Sequence, residues 1–419
     1  MRDELRTQTE FGIALLRVMP WSISFHERIK LFREIVDADR VAIQGSDDVN
    51  SGTRSRGIVV RIRRSRILED GKIALDRVGH SIKDRIVVRY VDAFGEEEAG
   101  IDAGGLFKDF WTSLSVRVFD PSFGLFEEKN QLTYPNPAAS KLYDEYEMAN
   151  MYTFLGKILG KALYENIVVQ PQFAHFFLSF LGGRYNFMNL IDDLSTLDPD
   201  LYKNLMFLKT FDGNVADLDL TFSVMDDSFG SQTEIELIPG GKGISVTSSN
   251  KHRYINAVAK HYLHDRLQRQ AGAFFAGLYQ IIQPELLNMF CAPELQVLIS
   301  GAVTGISIVE LRNYSRYAGG YSSIDHRIGW FWNIVGEFSD ADKALLLKFV
   351  TSCERPPSLG FDSLQPPFTI QRVDCTDDSR LPTSSTCFNT LKLPTYTSSA
   401  ILKAKLLLSI RSGAGFDLT

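Results

Sequence analysis

The stretch NYSRYAGGY, at residues 313 to 321, most constrains how this chain can fold, because two glycines and three tyrosines replace the helical pattern around it. Clusters of this kind connect structural units rather than belong to a helix or a strand. A chain of 419 residues is also too long for one ordinary hydrophobic core. The sequence therefore predicts a lobed protein with a hinge at 313–320, which includes Ala318, Gly319 and Gly320.

Composition and charge exclude several classes of protein. The chain is 44% hydrophobic and 23% charged, which is typical of a globular protein. Its net charge of −6 argues against nucleic-acid binding, which needs clustered basic residues. The one basic run, RGIVVRIRRSR, alternates with apolar residues and is typical of a half-buried strand. Apolar runs such as AFFAGLYQII reach only about half of the ~20 residues that cross a membrane. We expect neither a nucleic acid nor a membrane as a partner.

The pattern along the chain alternates long helical segments with short strands. Residues 1–57 predict a helical extension that is broken at Pro20 and followed by the polar loop IQGSDDVNSGTRSRG. Short alternating runs between 58 and 93 predict strands, and the segment LFKDFWTSLSVRVF after them predicts a helix. Residues 172–254 mix both patterns and predict a small α+β insertion. The final unit, 321–419, begins with helical segments and ends with a cysteine loop and a last helix.

Two glycines in the helical segment MYTFLGKILGKALYENIVV predict close packing. Gly156 and Gly160 are four residues apart and therefore share one face of the helix. Small residues in this pattern let a second helix approach.

Two motifs that resemble ligand sites lack the required pattern. PGGKGIS has no glycine at the upstream position of a phosphate-binding loop and no Ser or Thr after Lys242, so it predicts a strand-connecting turn. His261 and His264 are three apart, but no cysteine or carboxylate pattern accompanies them. We expect no nucleotide and no metal.

The four cysteines are too few and too irregularly spaced for a disulfide framework or a zinc site, and they indicate a reducing compartment. Cys291 and Cys353 lie in apolar helical segments, whereas the aspartates near Cys375 disfavour its thiolate. Cys387, in LPTSSTCFNTLKLP, has no acidic neighbour and lies between prolines that fix loop geometry. A loop that presents a reactive thiol is one interpretation, and an inert cysteine is the other.

The histidines narrow the chemistry of such a thiol. No histidine follows Cys387, and the nearest upstream is His326, whereas papain-type proteases place their base after the nucleophile. A thiolate that attacks a thioester expels a leaving group much like itself and needs no strong base. The pattern therefore favours acyl transfer between thiols.

Ten segments, taken in order, carry a family resemblance. They are GIDAGGLFKDFW, FLGKILGKALYENIVV, LDLTFS, ELIPGGKGISVTSSNKHRY, ELQVLISG, YAGGY, WFWNIVGEF, FVTSCERPP, LPTSSTCFNTLKLPTY and GFDLT. Together they resemble the catalytic domain of HECT-type ubiquitin-protein ligases. RVMPWSISFHERIKLFREIV and IRRSRILEDG further resemble the subgroup whose longer members carry a calmodulin-binding IQ motif upstream. That motif is not in this sequence, so we expect a catalytic fragment.

The resemblance implies an α+β, bilobal HECT fold. After the extension at 1–57, a mainly helical N-lobe would occupy 58–312, with an α+β subdomain at 172–254 that binds the ubiquitin-conjugating enzyme (E2). A hinge at 313–320 would lead to a smaller α/β C-lobe at 321–419. The implied activity is that of an E3 ubiquitin transferase. The C-lobe cysteine takes ubiquitin from the E2 as a thioester, and a substrate lysine then attacks that thioester.

The resemblance also assigns roles around Cys387, the implied ubiquitin acceptor. Thr386, Phe388 and Asn389 match the family's TCFN loop and are implied to hold the thiol and the thioester. Phe416 matches a C-terminal phenylalanine that is implied to dock on the N-lobe during lysine attack. Many members have histidine two residues before the cysteine, where this chain has serine, in agreement with transfer without a base.

A second set of residues is implied to bind the E2. The helical segment LYKNLMFLKTF and a downstream aromatic form this set, which could line an apolar groove. The alternative is that the same side chains form the core of the subdomain. The residues are Leu201, Leu205, Leu208, Phe211 and Tyr254.

The remaining implications concern partners and supporting residues. The partners are an E2, ubiquitin, protein substrates and, through upstream segments outside this sequence, calmodulin. The location is the cytoplasm, with the nucleus as a second compartment, and no cofactor is expected because ATP is consumed by the E1. Asp102 and Asp109 are predicted to be caps or salt-bridge partners. Two alternatives stay open: a catalytically silent E2-binding adaptor and a cysteine hydrolase.

Overall fold

A computed structural model describes residues 19–45, 57–97, 105–182, 191–226, 232–302, 305–375 and 377–412. The helices are α1 (Phe25–Gln44), α2 (Ile67–Val78), α3 (Gly105–Val118), α4 (Ala139–Leu142), α5 (Glu145–Tyr164), α6 (His175–Leu178), α7 (Leu194–Leu197), α8 (Pro199–Thr210), α9 (Lys251–Leu263), α10 (Gln268–Tyr279), α11 (Pro284–Leu287), α12 (Ala292–Ser300), α13 (Ile308–Tyr314), α14 (His326–Gly336), α15 (Asp340–Thr351) and α16 (Ser399–Ser412). The strands are β1 (Ile58–Arg63), β2 (Ile86–Val91), β3 (Phe126–Lys129), β4 (Leu132–Pro135), β5 (Ser223–Asp226), β6 (Thr233–Glu236), β7 (Arg316–Ala318), β8 (Thr369–Val373), β9 (Thr383–Ser385) and β10 (Thr390–Pro394).

The fold class is α+β, as predicted, and the chain divides into two compact units. The first unit takes the described residues of 1–118, 161–170 and 297–419, and the second takes those of 119–160 and 171–296. None of the helices in the described ranges combines the length and apolar character that a membrane crossing requires.

The first unit opens with helix α1, whose sequence sets both its start and its buried face. The hydroxyl of Ser24 accepts a hydrogen bond from the backbone N–H of Glu27 at 3.3 Å and so caps the first turn. Ile29, Phe32 and Val36 recur at helical spacing and are buried along one face of this helix. The predicted helical piece before Pro20 lies almost entirely outside the described residues.

Strands β1 and β2 pair in parallel, with Ile58 opposite Ile86. Parallel neighbours need a crossover connection, and α2 provides it. Here the structure differs from the sequence prediction, which expected strands alone between 58 and 93. The helix is explained by two acidic residues in its first turn and by Gly79, which ends it with a positive φ of 58°.

The C-terminal part of the first unit is built on a four-stranded sheet of order β7-β8-β10-β9. Strand β8 runs parallel to both β7 and β10, and β9 is antiparallel to β10. Side chains of α14, α15 and α16 cover the strands in one core that includes Phe331, Val350, Leu391 and Leu406. Leu311 of α13 belongs to the same core. The lobe boundaries and the hinge at 313–320 stay predictions.

The second unit is organised around phenylalanine rings. Phe126 of β3 contacts Phe119, Phe173, Phe177 and Phe274 with ring centroids 5.4 to 6.3 Å apart. Edge-to-face pairs of this kind stabilise a core beyond their buried area. In the same unit, β5 and β6 form an antiparallel pair, and residues 191–254 also include α8 and the start of α9, so this stretch contains both helices and strands.

The glycines of α5 allow the close helix packing that the sequence predicts. A Cβ atom at Gly156 would lie 1.8 Å from the carbonyl oxygen of Phe274 in α10. Reciprocally, a Cβ atom at Gly277 would lie 2.0 Å from the carbonyl oxygen of Thr153. Any side chain at these positions therefore forces the two backbones apart.

Replacing Gly156 tests this contact. Gly156→Ala should lower the free energy of unfolding by about 2 kcal/mol or more, because overpacking a tight core strains its neighbours. Urea unfolding followed by circular dichroism measures the loss. The control is Gly272→Ala in α10, where no described residue beyond its chain neighbours and its own helix backbone comes within 4 Å of the added Cβ. This change should be neutral or stabilising by up to ~1 kcal/mol. Equal stability of the two variants would contradict the packing argument.

Candidate active site

Cys387 lies in the tight connection between β9 and β10. Ser385 pairs with Thr390 across the two antiparallel strands, so the connection has only four residues. It forms a 3-10 turn, Thr386–Phe388, closed by a hydrogen bond from the backbone N–H of Asn389 to the carbonyl oxygen of Thr386 at 3.2 Å. The backbone of Cys387 is therefore fixed at one end of the sheet.

Asn389 anchors this turn. Its φ of 48° is a left-handed conformation that asparagine tolerates better than most residues. Its side chain is 0% exposed: Nδ2 donates to the carbonyl oxygen of Pro366 at 2.6 Å, and Oδ1 accepts from Nζ of Lys108 at 2.8 Å. Its own carbonyl oxygen accepts from the backbone N–H of Thr369 at 2.9 Å. Every polar group of its side chain thus holds the turn in place.

Sequence reasoning missed Lys108, which reaches this turn from α3. The only available signal was its position in the segment GIDAGGLFKDFW, where nothing distinguishes it from a surface lysine. Beside the anchor, the ring of Phe388 is 40% exposed, so this side of the turn is open. Among the described side chains of residues 385–390, none is hydrogen-bonded to a histidine or a carboxylate.

The contacts of two other cysteines, Cys353 and Cys375, indicate a structural rather than a catalytic role. Burial raises the pKa of the Cys353 thiol, and the nearby Arg355 and Lys108 only partly oppose this effect. The thiol of Cys375 donates to the backbone carbonyl oxygen of Asp377. Neither cysteine is in a disulfide. The raised pKa of Cys353 favours its protonated thiol over a nucleophilic thiolate.

The side chains predicted to bind the E2 divide into two groups in the second unit. Leu205, Leu208 and Tyr254 are 4%, 4% and 8% exposed, so they form core, as the alternative interpretation stated. Leu201 and Phe211 are partly exposed. The division follows from the helix itself, because residues three apart lie on the same inward face of α8.

An exposed aromatic ring next to these residues was not predicted. Phe207 of α8 is 60% exposed, and its ring lies 5.4 Å from that of Phe211. A large exposed apolar side chain is unfavourable unless it serves an interaction. The sequence analysis followed the helical spacing of the leucines and so did not select Phe207, which lies on a different face of α8.

One of the predicted hinge residues lies in the edge strand β7, and the other two follow it. Ala318 ends that strand opposite Gln371 of β8. Gly319 and Gly320 have φ values of 66° and 101°, which favour glycine, and a Cβ at Gly319 would lie 2.9 Å from the carbonyl oxygen of Arg372. The glycines are thus required by the turn itself.

Asp109 forms the salt bridge that the sequence predicts. Its carboxylate accepts from the guanidinium of Arg64 at 2.9 Å. Asp102 and Phe416 lie outside the described residues.

Comparison with known proteins defines the class of this site. Residues 112–419 match the family model "HECT-domain (ubiquitin-transferase)". The chain is 40% identical to human ubiquitin-protein ligase E3B over 100% of its length and 41% identical to the E3 ubiquitin-protein ligase UPL6 of Arabidopsis thaliana over 97%. It is also 37% identical over its full length to the E3 ubiquitin-protein ligase HUL5 of Saccharomyces cerevisiae.

The chain therefore belongs to the HECT-domain family of ubiquitin transferases, which confirms the resemblance seen in the sequence. It spans 41%, 39% and 46% of the length of those three relatives, in the order in which they are named.

The pKa of Cys353 predicts its reactivity. At about pH 7.5 the raised pKa leaves less thiolate than the usual value of 9.0 allows, so iodoacetamide should modify Cys353 at least tenfold more slowly in the folded chain than in urea. The rate should rise about tenfold per pH unit until pH reaches the raised pKa. Mass spectrometry of the Cys353 peptide measures both rates. Equal rates in the folded and unfolded chain would contradict this assignment.

Proposed function

We propose that this chain is the catalytic domain of an E3 ubiquitin-protein transferase with Cys387 as the acceptor. The thiolate of Cys387 attacks the thioester carbonyl of ubiquitin on the E2; a new S–C bond forms, and the E2 cysteine leaves as a thiolate. The amine of a substrate lysine then attacks the new thioester. A C–N bond forms, the amine loses a proton, and Cys387 returns as a thiol.

One observation carries this proposal: Cys387 lies in a four-residue turn whose last residue, Asn389, is locked by Pro366 and Lys108. A preorganised backbone at the end of the sheet would present this residue to a partner with little further ordering. The described side chains of the turn offer no general base, which suits an exchange between two thiol esters of similar energy. Family membership supports the same chemistry.

For the E2, the proposed docking face is the exposed side of α8 in the second unit. Phe207, Phe211 and Leu201 would contact an apolar loop of the E2, because their rings and methyl groups are at least partly open. Leu208 and Tyr254 would support this face from below. Aromatic anchors of this kind dominate the energy of many interfaces.

Several finer assignments extend the proposal from the family resemblance. Phe416 would assist lysine attack, and a hinge at 313–320 would let the C-lobe move between the E2 and the substrate. Protein substrates and, for a longer protein, calmodulin would complete the partners. The cytoplasm, with the nucleus as a second compartment, is the proposed location.

The acceptor is tested by thioester formation. With E1, a panel of E2s, ATP and labelled ubiquitin, the wild-type chain should form an adduct that thiols cleave, and Cys387→Ala should form none. Non-reducing gels measure this. Cys375→Ala is the matched control and should form the adduct at the normal rate. In the wild type, the thiol of Cys375 is already hydrogen-bonded to the carbonyl oxygen of Asp377.

The same assay separates the alternatives. Equal loss in the Cys387 and Cys375 variants would overturn the assignment of the acceptor. E2-dependent activity that survives in Cys387→Ala would favour the silent adaptor, and cleavage of a ubiquitin substrate without E1, E2 and ATP would favour the hydrolase.

Phe207 tests the docking face. Phe207→Ala should slow E2-dependent loading of Cys387 by about tenfold or more, the range of an interface anchor, while the urea midpoint stays unchanged because the ring is exposed. Leu208→Ala is the contrasting variant and should lower stability by about 2–5 kcal/mol, the usual cost of emptying a core leucine site. Normal loading by the folded Phe207 variant at limiting E2 would exclude this face.

A further inference from the structure

The first unit contains a cavity of about 690 Å³ to which the proposed transfer assigns no ligand. This volume lies within the ~300–1,000 Å³ typical of small-molecule sites. Its wall combines α1, the start of β2, α3 and the loop between α15 and β8. Five basic side chains line it: Arg33, Arg40, Arg85, Lys108 and Arg355.

The charge of this wall is strongly positive. Glu165 is the only carboxylate among the described lining residues, and Nζ of Lys161 already pairs with it at 2.6 Å. Five cations against one carboxylate leave the lining with a net charge of about four, on a chain whose total is −6. Burial lowers the pKa of Arg33 to about 10, and the charge of Arg40 adds to this effect while Asp37 opposes it. Arg40 is ion-paired with Asp37 at 3.0 Å and lies 3.8 Å from Glu165, so the cations of the wall that form no ion pair within the described residues include Arg85 and Arg355.

Two guanidinium groups in the wall have buried nitrogen atoms without a described partner. Nε of Arg40 and Nη1 of Arg355 are shielded from solvent, and neither atom has a hydrogen-bond partner among the described residues. A buried donor without a partner is unfavourable, and native structures hold few of them. Within the described part of the chain, no ion pair forms at Arg85 or Arg355 either. The two buried nitrogen atoms are closed to solvent, so a ligand would reach them only after the side chains turn, whereas the charges of Arg85 and Arg355 have no ion-pair partner among the described residues.

We propose that this cavity binds a small compound carrying two or more phosphate groups. Each phosphate monoester contributes about −1.5 to −2 charges, so two or three groups balance the lining. The four guanidinium groups of the wall match phosphate oxygens with paired hydrogen bonds, and a single carboxylate cannot serve all four. Long nucleic acids are excluded, because the acidic remainder of the chain repels an extended polyanion.

The position of the cavity links this ligand to the catalytic turn. Phe388 lines the wall, and Lys108 contributes to it while holding Asn389. A bound polyphosphate would join these residues to α1 and so regulate ubiquitin loading. This regulatory step rests on the proposed function, whereas binding itself does not.

Calorimetry on the full chain tests binding without E1 or E2. Sodium tripolyphosphate should bind at least tenfold more tightly than orthophosphate at equal ionic strength. Arg355→Ala should weaken tripolyphosphate binding about tenfold or more, since charge-assisted hydrogen bonds are lost. Arg85→Ala should weaken tripolyphosphate binding by the same factor, and it replaces Arg355→Ala if that variant does not fold.

Arg77→Ala is the matched control, because Arg77 is exposed on α2 and does not line the cavity. Its affinity should equal that of the wild type. Equal affinities for the two phosphates, or equal losses in the Arg77 and Arg85 variants, would overturn the site.

Two further experiments identify the source of the ligand and its effect on Cys387 loading. Flotation with phosphatidylcholine vesicles containing phosphatidylinositol bisphosphate, abolished in Arg85→Ala, would identify a membrane headgroup as the source, and tripolyphosphate binding without flotation would identify a soluble one. Tripolyphosphate should also change the rate of Cys387 loading at least threefold in the wild type but not in Arg85→Ala. An unchanged rate despite binding would remove the regulatory step alone.

Discussion

The buried ammonium of Lys161 is the constraint on which the first unit depends. It is 0% exposed, and in place of water it contacts the carboxylate of Glu165 at 2.6 Å and the carbonyl oxygens of Lys83 and Asp84 at 3.3 and 3.1 Å. Burial lowers the pKa of this lysine, and Glu165 opposes the shift. An unpaired charge here would cost several kcal/mol. Since Nε2 of Gln44 bonds both Glu165 and the carbonyl of Lys83, the end of α1, the end of α5 and the approach to β2 must meet.

The catalytic turn also depends on hydrogen bonds to buried polar groups from segments that are distant in the sequence. A four-residue hairpin fixes its own backbone, but the side chain of Asn389 is fixed by Pro366 and by Lys108, 281 positions away in the sequence. Because the amide is fully buried, loss of either partner would leave a polar group unpaired. The backbone of Cys387 is therefore positioned by α3 as well as by its own sheet.

Local features were predictable from the sequence, and contacts between distant segments were not. The spacing of Gly156 and Gly160 and the apolar period of α1 are local, so helices and a close approach followed directly. The sequence did not predict helix α2, because this helix is short and carries Gly71 in its interior. In the structure, Gly71 makes room for Phe110 and Leu114 of α3. The Cys387 turn came from family motifs, whereas its Lys108 anchor and the exposed Phe207 depend on which neighbours the fold supplies.

Net charge and local charge lead to opposite conclusions in this chain. A total of −6 argues against any polyanion, and this holds for a long one, whose charges extend over the whole surface. A small ligand senses only charges within about 8 Å at physiological ionic strength. The arginines that line the cavity are scattered from 33 to 355 and form no basic run, so the sequence gives no sign of them. These cations repel each other, and some of their donors are unpaired, so their proximity lowers the stability of the fold. A bound polyphosphate would offset this loss most simply.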